Sequence, residues 1–127
     1  MAEVTYLPTV VNVKGVAGDR VRWRITVSDE DGPLDWSGYE FDAQVRVNAN
    51  DTSSPVATIV VDDSQSGVGV LTLTVARSDT LTMLAPGPSA PSQRAWVWDM
   101  QRTLVADPTD VRTTHGGTFT LVMDVTR

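Results

Sequence analysis

An all-β domain, a sandwich of seven or eight antiparallel strands, is the fold class this sequence predicts, and three features predict it. The first is a strict two-residue alternation of apolar and polar residues. Val21, Trp23, Ile25 and Val27 alternate with Arg20, Arg22, Arg24 and Thr26, and Tyr39, Phe41, Ala43, Val45 and Val47 alternate with Glu40, Asp42, Gln44 and Arg46. Successive side chains of a strand point to opposite faces, so this period describes a half-buried strand. The second feature is composition: 20 Val and 16 Thr in 127 residues favour a pleated sheet, while the good helix formers Lys, Glu and Gln number only 1, 3 and 4. The third is the regular return of Gly, Pro, Asp and Asn, which mark turns between short strands.

The elements follow in order. Residues 1–8 read as a loose N-terminal arm ending at Pro8, and residues 9–127 as a single domain. Residues 9–14 (TVVNVK) are expected to form an edge strand closed by Gly15 and Gly18. The two alternating strands come next, separated by the acidic run Asp29-Glu30-Asp31-Gly32-Pro33. The segment NANDTSSP, 48–55, is dense in turn formers and reads as a loop. Residues 56–62 (VATIVVD) and 70–75 (VLTLTV) are further strands, the latter placing Leu71, Leu73 and Val75 on one face. Ser78 or Asp79 is suited to cap the one short helical turn expected near 78–84. Pro86, Pro88 and Pro91 forbid its continuation. Residues 94–105 form the most aromatic strand, with Trp96, Trp98 and Met100 sharing a face. Asp107-Pro108-Thr109-Asp110 reads as the next turn, residues 111–114 as a return to a second turn at Gly116-Gly117, and residues 118–125 as the last strand, with Phe119, Leu121, Met123 and Val125 inward. This spacing describes an immunoglobulin-like sandwich. Trp23 and Trp98 are expected at the centre of its core.

Composition excludes several classes of function. No apolar run approaches the ~20 residues that span a bilayer, and no basic region followed by an apolar stretch marks a secretion signal. With no cysteine there is neither a disulfide framework nor a thiolate metal site. A net charge of −6 disfavours nonspecific contact with nucleic acid.

Motifs for chemistry are sparse, and no enzymatic activity is expected. His115 is the sole histidine; beside Gly116-Gly117 it reads as a solvated loop residue with no oriented nucleophile to serve. Asp29-Glu30-Asp31-Gly32, Asp62-Asp63 and Asp107…Asp110 are oxygen-rich, as calcium sites are. Their spacing fits turns instead, and no metal or other cofactor is expected. The stripe Arg20, Arg22, Arg24 reads as a solvated face or a protein-contact face, because Trp23 points the other way and offers no stacking for nucleic acid. Trp36 lies between strands in LDWSGY, where it either plugs one end of the sandwich or offers a platform for a sugar.

Several segments in fixed order resemble a family of small immunoglobulin-like proteins of tailed bacteriophages, related to the N-terminal domain of upper baseplate proteins. These are Gly18-Asp19 before the first alternating strand, Asp31-Gly32-Pro33-Leu34-Asp35 with Trp36-Ser37-Gly38-Tyr39, VLTLTV before the helical turn, Trp98-Asp99-Met100-Gln101, and the closing Val125-Thr126-Arg127. The resemblance covers residues 13–127. It implies a minor tail or baseplate-associated virion protein, assembled in the host cytoplasm, that docks on other virion proteins in multiple symmetric copies. The chain stops at Arg127, short of the downstream region of upper baseplate proteins, so a stand-alone subunit is expected. Alternatives are a capsid or neck decoration protein, or a module binding a host-surface glycan. The expected contact residues are Arg20, Arg22, Arg24, Trp36 and Tyr39.

Overall fold

In a computed structural model the chain is described over residues 9–48, 55–85 and 90–123. The expected N-terminal arm, the centre of the 48–55 loop, Pro86, Pro88 and Val125 lie outside the described residues. Among the described residues the fold is all-β apart from one helix and one 3-10 turn. Its strands are β1 (Thr9–Val10), β2 (Val13–Val16), β3 (Val21–Thr26), β4 (Ser28–Asp29), β5 (Gly32–Pro33), β6 (Tyr39–Arg46), β7 (Ala57–Asp62), β8 (Val70–Val75), β9 (Gln93–Leu104) and β10 (Asp107–Val122). The helix α1 spans Arg77–Met83, and the 3-10 turn Ser66–Val68.

The strands form one curled sheet in the order β1-β10-β9-β6-β7-β8-β3, with β2 also on β10, while β4 and β5 make a separate small hairpin. The curl turns on β7. Its first half, Ala57 to Ile59, pairs with Val45 to Ala43 of β6, and its second half, Val60 to Asp62, pairs with Thr74 to Thr72 of β8. This carries β3 and β8 across the face of β9 and β10, so that Trp23 of β3 meets Trp98 edge-to-face at 5.2 Å and Phe119 at 6.0 Å. Trp98 is buried there with the fully buried Leu71, Leu73, Val75, Val45, Met100, Phe119 and Leu121, whereas Trp23, expected beside it at the centre of the core, is only partly buried and packs against the core from β3 at the end of the sheet. Met123 lies at the rim of this core.

The sheet is mixed, not wholly antiparallel as expected: β1 and β2 both run parallel to β10. The chain enters beside β10 and then crosses to the other layer through Ala17-Gly18-Asp19, where a hairpin would have reversed it. Both segments hold one register on β10, Thr9 opposite His115 and Val13 opposite Phe119. The single strand expected over residues 9–14 is interrupted at Val11 and Asn12 by side-chain bonds. The indole Nε1 of Trp98 donates to the Val11 carbonyl at 2.8 Å, and Asn12 Oδ1 accepts from the backbone N–H of Thr118 at 3.1 Å.

The helix exceeds the single turn expected, and neither Ser78 nor Asp79 caps it. Its N-cap is Ala76, with no side-chain cap bond. What holds α1 is Thr80, whose buried hydroxyl accepts from Gly18 N–H at 3.1 Å and donates to the Asp19 carbonyl at 2.8 Å. Arg77 Nε adds a bond to the Gly18 carbonyl at 2.7 Å. The helix thus anchors the β2–β3 crossover.

The largest departure concerns residues 107–122. The turn at Asp107-Pro108-Thr109-Asp110, the return and the last strand are one continuous strand, with the reversal at Val105-Ala106. Turn chemistry survives locally, since Asp107 Oδ1 accepts from Thr109 N–H at 3.2 Å and from its hydroxyl at 2.6 Å. The sheet absorbs it as a register shift between Asp107 and Val111, and a second shift falls between Thr113 and His115. Gly116-Gly117 is no turn either. A side chain at Gly117 would run into the Val11 carbonyl, so glycine serves close backbone approach within a strand.

Candidate functional site

The five residues expected to make contacts fall in two places. Arg22 and Arg24 are exposed on the outer face of β3, and Arg20 is exposed immediately before it. Strand β3 ends the sheet: it pairs with β8 from Val21–Val75 to Thr26–Val70, and no strand pairs with its other edge among the described residues. Arg22 faces the Asp62 carboxylate of β7, which is held below the usual range mainly by hydrogen bonds from the Ser64 side chain and backbone and a little by this guanidinium. The row therefore lies beside an open backbone edge.

Trp36 and Tyr39 sit elsewhere, at one end of the curl. Trp36 is only 8% exposed, so it plugs the fold and presents no ring face to a sugar. Its backbone N–H donates to the Ser66 carbonyl at 2.9 Å, and its carbonyl accepts from Tyr39 N–H at 3.2 Å. Asp35 stabilises the approach by accepting from Ser37 Oγ at 2.6 Å and Ser37 N–H at 2.9 Å, bonds that lower its carboxyl's pKa. The indole stacks on Phe41 at 6.0 Å and meets Tyr39 at 6.1 Å and His115 at 6.3 Å, both edge-on. Arg102 completes the group, its guanidinium carbon 4.9 Å from the Trp36 centroid and 4.5 Å from that of Tyr39. Such contacts stabilise by roughly 0.5–1 kcal/mol each at partly exposed sites.

His115 corrects the expectation of a solvated loop residue. It lies within β10, 6% exposed, with Nδ1 3.0 Å from Thr114 Oγ1. Burial pushes its pKa below the usual imidazole value. The bulge at Thr113/His115 turns it inward opposite Met100.

Beside this cluster opens a groove of about 850 Å³, bordered by Thr26 and Ser28 on one side and by Arg112 to His115 on the other, with Trp36 and Arg102 in its lining. Two arginines therefore enter the site that the sequence reading did not name. Arg102 was legible: it continues the inward alternation of Trp96, Trp98 and Met100. Arg112 was not, because it reaches the groove through a bulged register in which it lies opposite Arg102.

Compared with known proteins, the chain matches no protein-family model and no curated sequence.

Proposed function

We propose that this protein is a non-enzymatic structural component of a tailed-bacteriophage particle, an immunoglobulin-like domain that docks on neighbouring virion subunits at the tail or baseplate. The immunoglobulin-like reading is supported by strand order. The runs β3-β8-β7 and β6-β9-β10 match the B-E-D and C-F-G orders of such sandwiches, with the first segment moved onto the last strand in parallel. The virion setting rests on the ordered sequence segments that resemble phage immunoglobulin-like proteins.

One observation carries the docking role: the terminal strand β3 presents an open backbone edge together with the exposed row Arg20, Arg22, Arg24. An open edge invites strand addition by a partner, and arginine is enriched where protein surfaces meet. Decoration of a capsid or neck would use the same surface against a different neighbour. The test replaces Arg20, Arg22 and Arg24 with Glu and measures the chain in purified particles, with circular dichroism of the isolated protein as the folding control. A folded variant missing from the particles is expected. Wild-type incorporation of that variant would refute the contact assignment.

A further inference from the structure

The two layers of the fold carry opposite charge on their outer faces, at matched spacing. On one layer Arg22 and Arg24 of β3 are exposed, and the exposed Arg20 continues the row. Arg22 aligns with Thr74 of β8 and Val60 of β7, and Arg24 with Thr72 and then Asp62. On the other layer Glu40 and Asp42 of β6 are exposed with the same two-residue period. Glu40 aligns with Thr103 of β9 and Val111 of β10, and Asp42 with Gln101 and Thr113. Residues directly opposite in a ladder share a face. Each layer therefore presents a charged row, a neutral polar strand beside it and an exposed valine on the third strand, Val60 at 64% and Val111 at 46%. Neighbouring charges in either row stand about 6.5–7 Å apart, the rise of two residues in a strand.

Neither row is neutralised within the chain. Arg20, Arg24, Glu40 and Asp42 make no hydrogen bond or ion pair among the described residues. Arg22 feels only the Asp62 carboxylate two strands away, and Asp62 already accepts from Ser64 N–H at 3.0 Å. Repulsion along each row is relieved when a row of opposite sign is laid against it. Two copies cannot meet like row to like row, because that sets arginine on arginine or carboxylate on carboxylate. With the β3 face of one copy on the β6 face of another, Arg22 and Arg24 meet Glu40 and Asp42 without a change of spacing. We propose that the arginine row of β3 docks on the row of Glu40 and Asp42 in a second copy of this chain, a head-to-tail contact between the outer faces of the two layers. The proposal rests on the docking role given above to the arginines, and adds the identity of the neighbour and the surface it offers. Each copy keeps one face free after the first contact, so successive copies build a closed ring or an open row. Exposed ion pairs contribute little apiece, so the association is weak and salt weakens it further.

Sedimentation velocity of the full-length protein over a concentration series tests this, with circular dichroism as the folding control. Wild type is expected to associate reversibly, and raising the salt from about 0.05 to about 0.5 M is expected to abolish the association. The double variants Arg22→Glu/Arg24→Glu and Glu40→Arg/Asp42→Arg are each expected to weaken it at least about tenfold, since each sets like charges face to face. Mixing the two is expected to restore it, because each then offers the other a row of opposite sign. Both variants stay net negative, so bulk attraction does not draw them together. Should a reversal not fold, Arg22→Gln/Arg24→Gln or Glu40→Gln/Asp42→Gln takes its place and is expected to weaken association as well. A monomeric wild type in low salt, association indifferent to either charge change, or folded reversal variants that fail to associate on mixing would overturn the proposal. Loss of the arginine variant from particles while purified wild type stays monomeric would overturn this contact alone and leave the arginine row facing a different subunit.

Discussion

Trp98 in the core and the partly buried Trp23 packed on it touch edge-to-face, yet truncating each to Phe has opposite consequences for hydrogen bonding. Trp98 Nε1 donates to the Val11 carbonyl at 2.8 Å, whereas Trp23 Nε1 is buried with no hydrogen-bond partner. Either change removes part of an indole and leaves a void, at a cost of about 1–2 kcal/mol. Trp98→Phe also orphans the Val11 carbonyl, adding about 1–3 kcal/mol, while Trp23→Phe deletes an unpaired donor and recovers a similar amount. Val11 is partly exposed, so water can take up some of the first loss. Trp98→Phe is therefore expected to destabilise by about 2–4 kcal/mol, with Trp23→Phe within about 1 kcal/mol of wild type. The gap of at least about 1 kcal/mol corresponds to roughly 3–5 °C in Tm for a chain of this size. Urea denaturation and differential scanning calorimetry of both variants measure it. Equal destabilisation by the two, or a larger loss in Trp23→Phe, would refute the reasoning.

Three further outcomes follow from the same structure. His115 has its pKa lowered by burial, so the unfolded chain takes up its proton first; stability due to the neutral ring is complete above about pH 6.5 and declines as pH falls from there towards the folded pKa. The stability difference between wild type and His115→Gln, from urea titrations, should accordingly shrink between about pH 7.5 and 5; a difference independent of pH would contradict the buried placement. Gly117→Ala drives a methyl group into the Val11 carbonyl and is expected to cost about 1–3 kcal/mol, with the loss of hydrogen-exchange protection concentrated in β1 and β2. Thr80→Val leaves Gly18 N–H and the Asp19 carbonyl without their side-chain partner, an expected loss of about 2–4 kcal/mol in denaturant titration.

Much of the sheet was legible because its signal is local. Strand β8 spans the six residues whose alternation announced it, and β3, β6 and β9 lie within a residue of their expected bounds. Pairing is not local, and that is where the reading departed. Nothing in TVVNVK says that it will lie parallel to the last strand. Asp107-Pro108-Thr109 and Gly116-Gly117 carry genuine turn chemistry, but Gly116 and Gly117 find ladder partners in Asp99 and Trp98 of β9, and Pro108 to Asp110 are taken up as a bulge between the Asp107–Leu104 and Val111–Thr103 pairs. The same tertiary override buried His115 and brought Arg112 opposite Arg102. Within the candidate site, the outward row of Arg20, Arg22 and Arg24 followed from period alone. Trp36 and Tyr39 were correctly grouped, yet their role as a plug around Arg102 needed the third dimension.

The central claim is that this domain docks on other subunits of a phage particle through the β3 edge and its arginines. Density of an intact particle at a resolution that separates β-strands tests it most directly. The account predicts this chain in the particle, at the tail or baseplate, with Arg20, Arg22 and Arg24 against a neighbouring subunit. Particles without the chain, or with that row turned wholly to solvent, would contradict it.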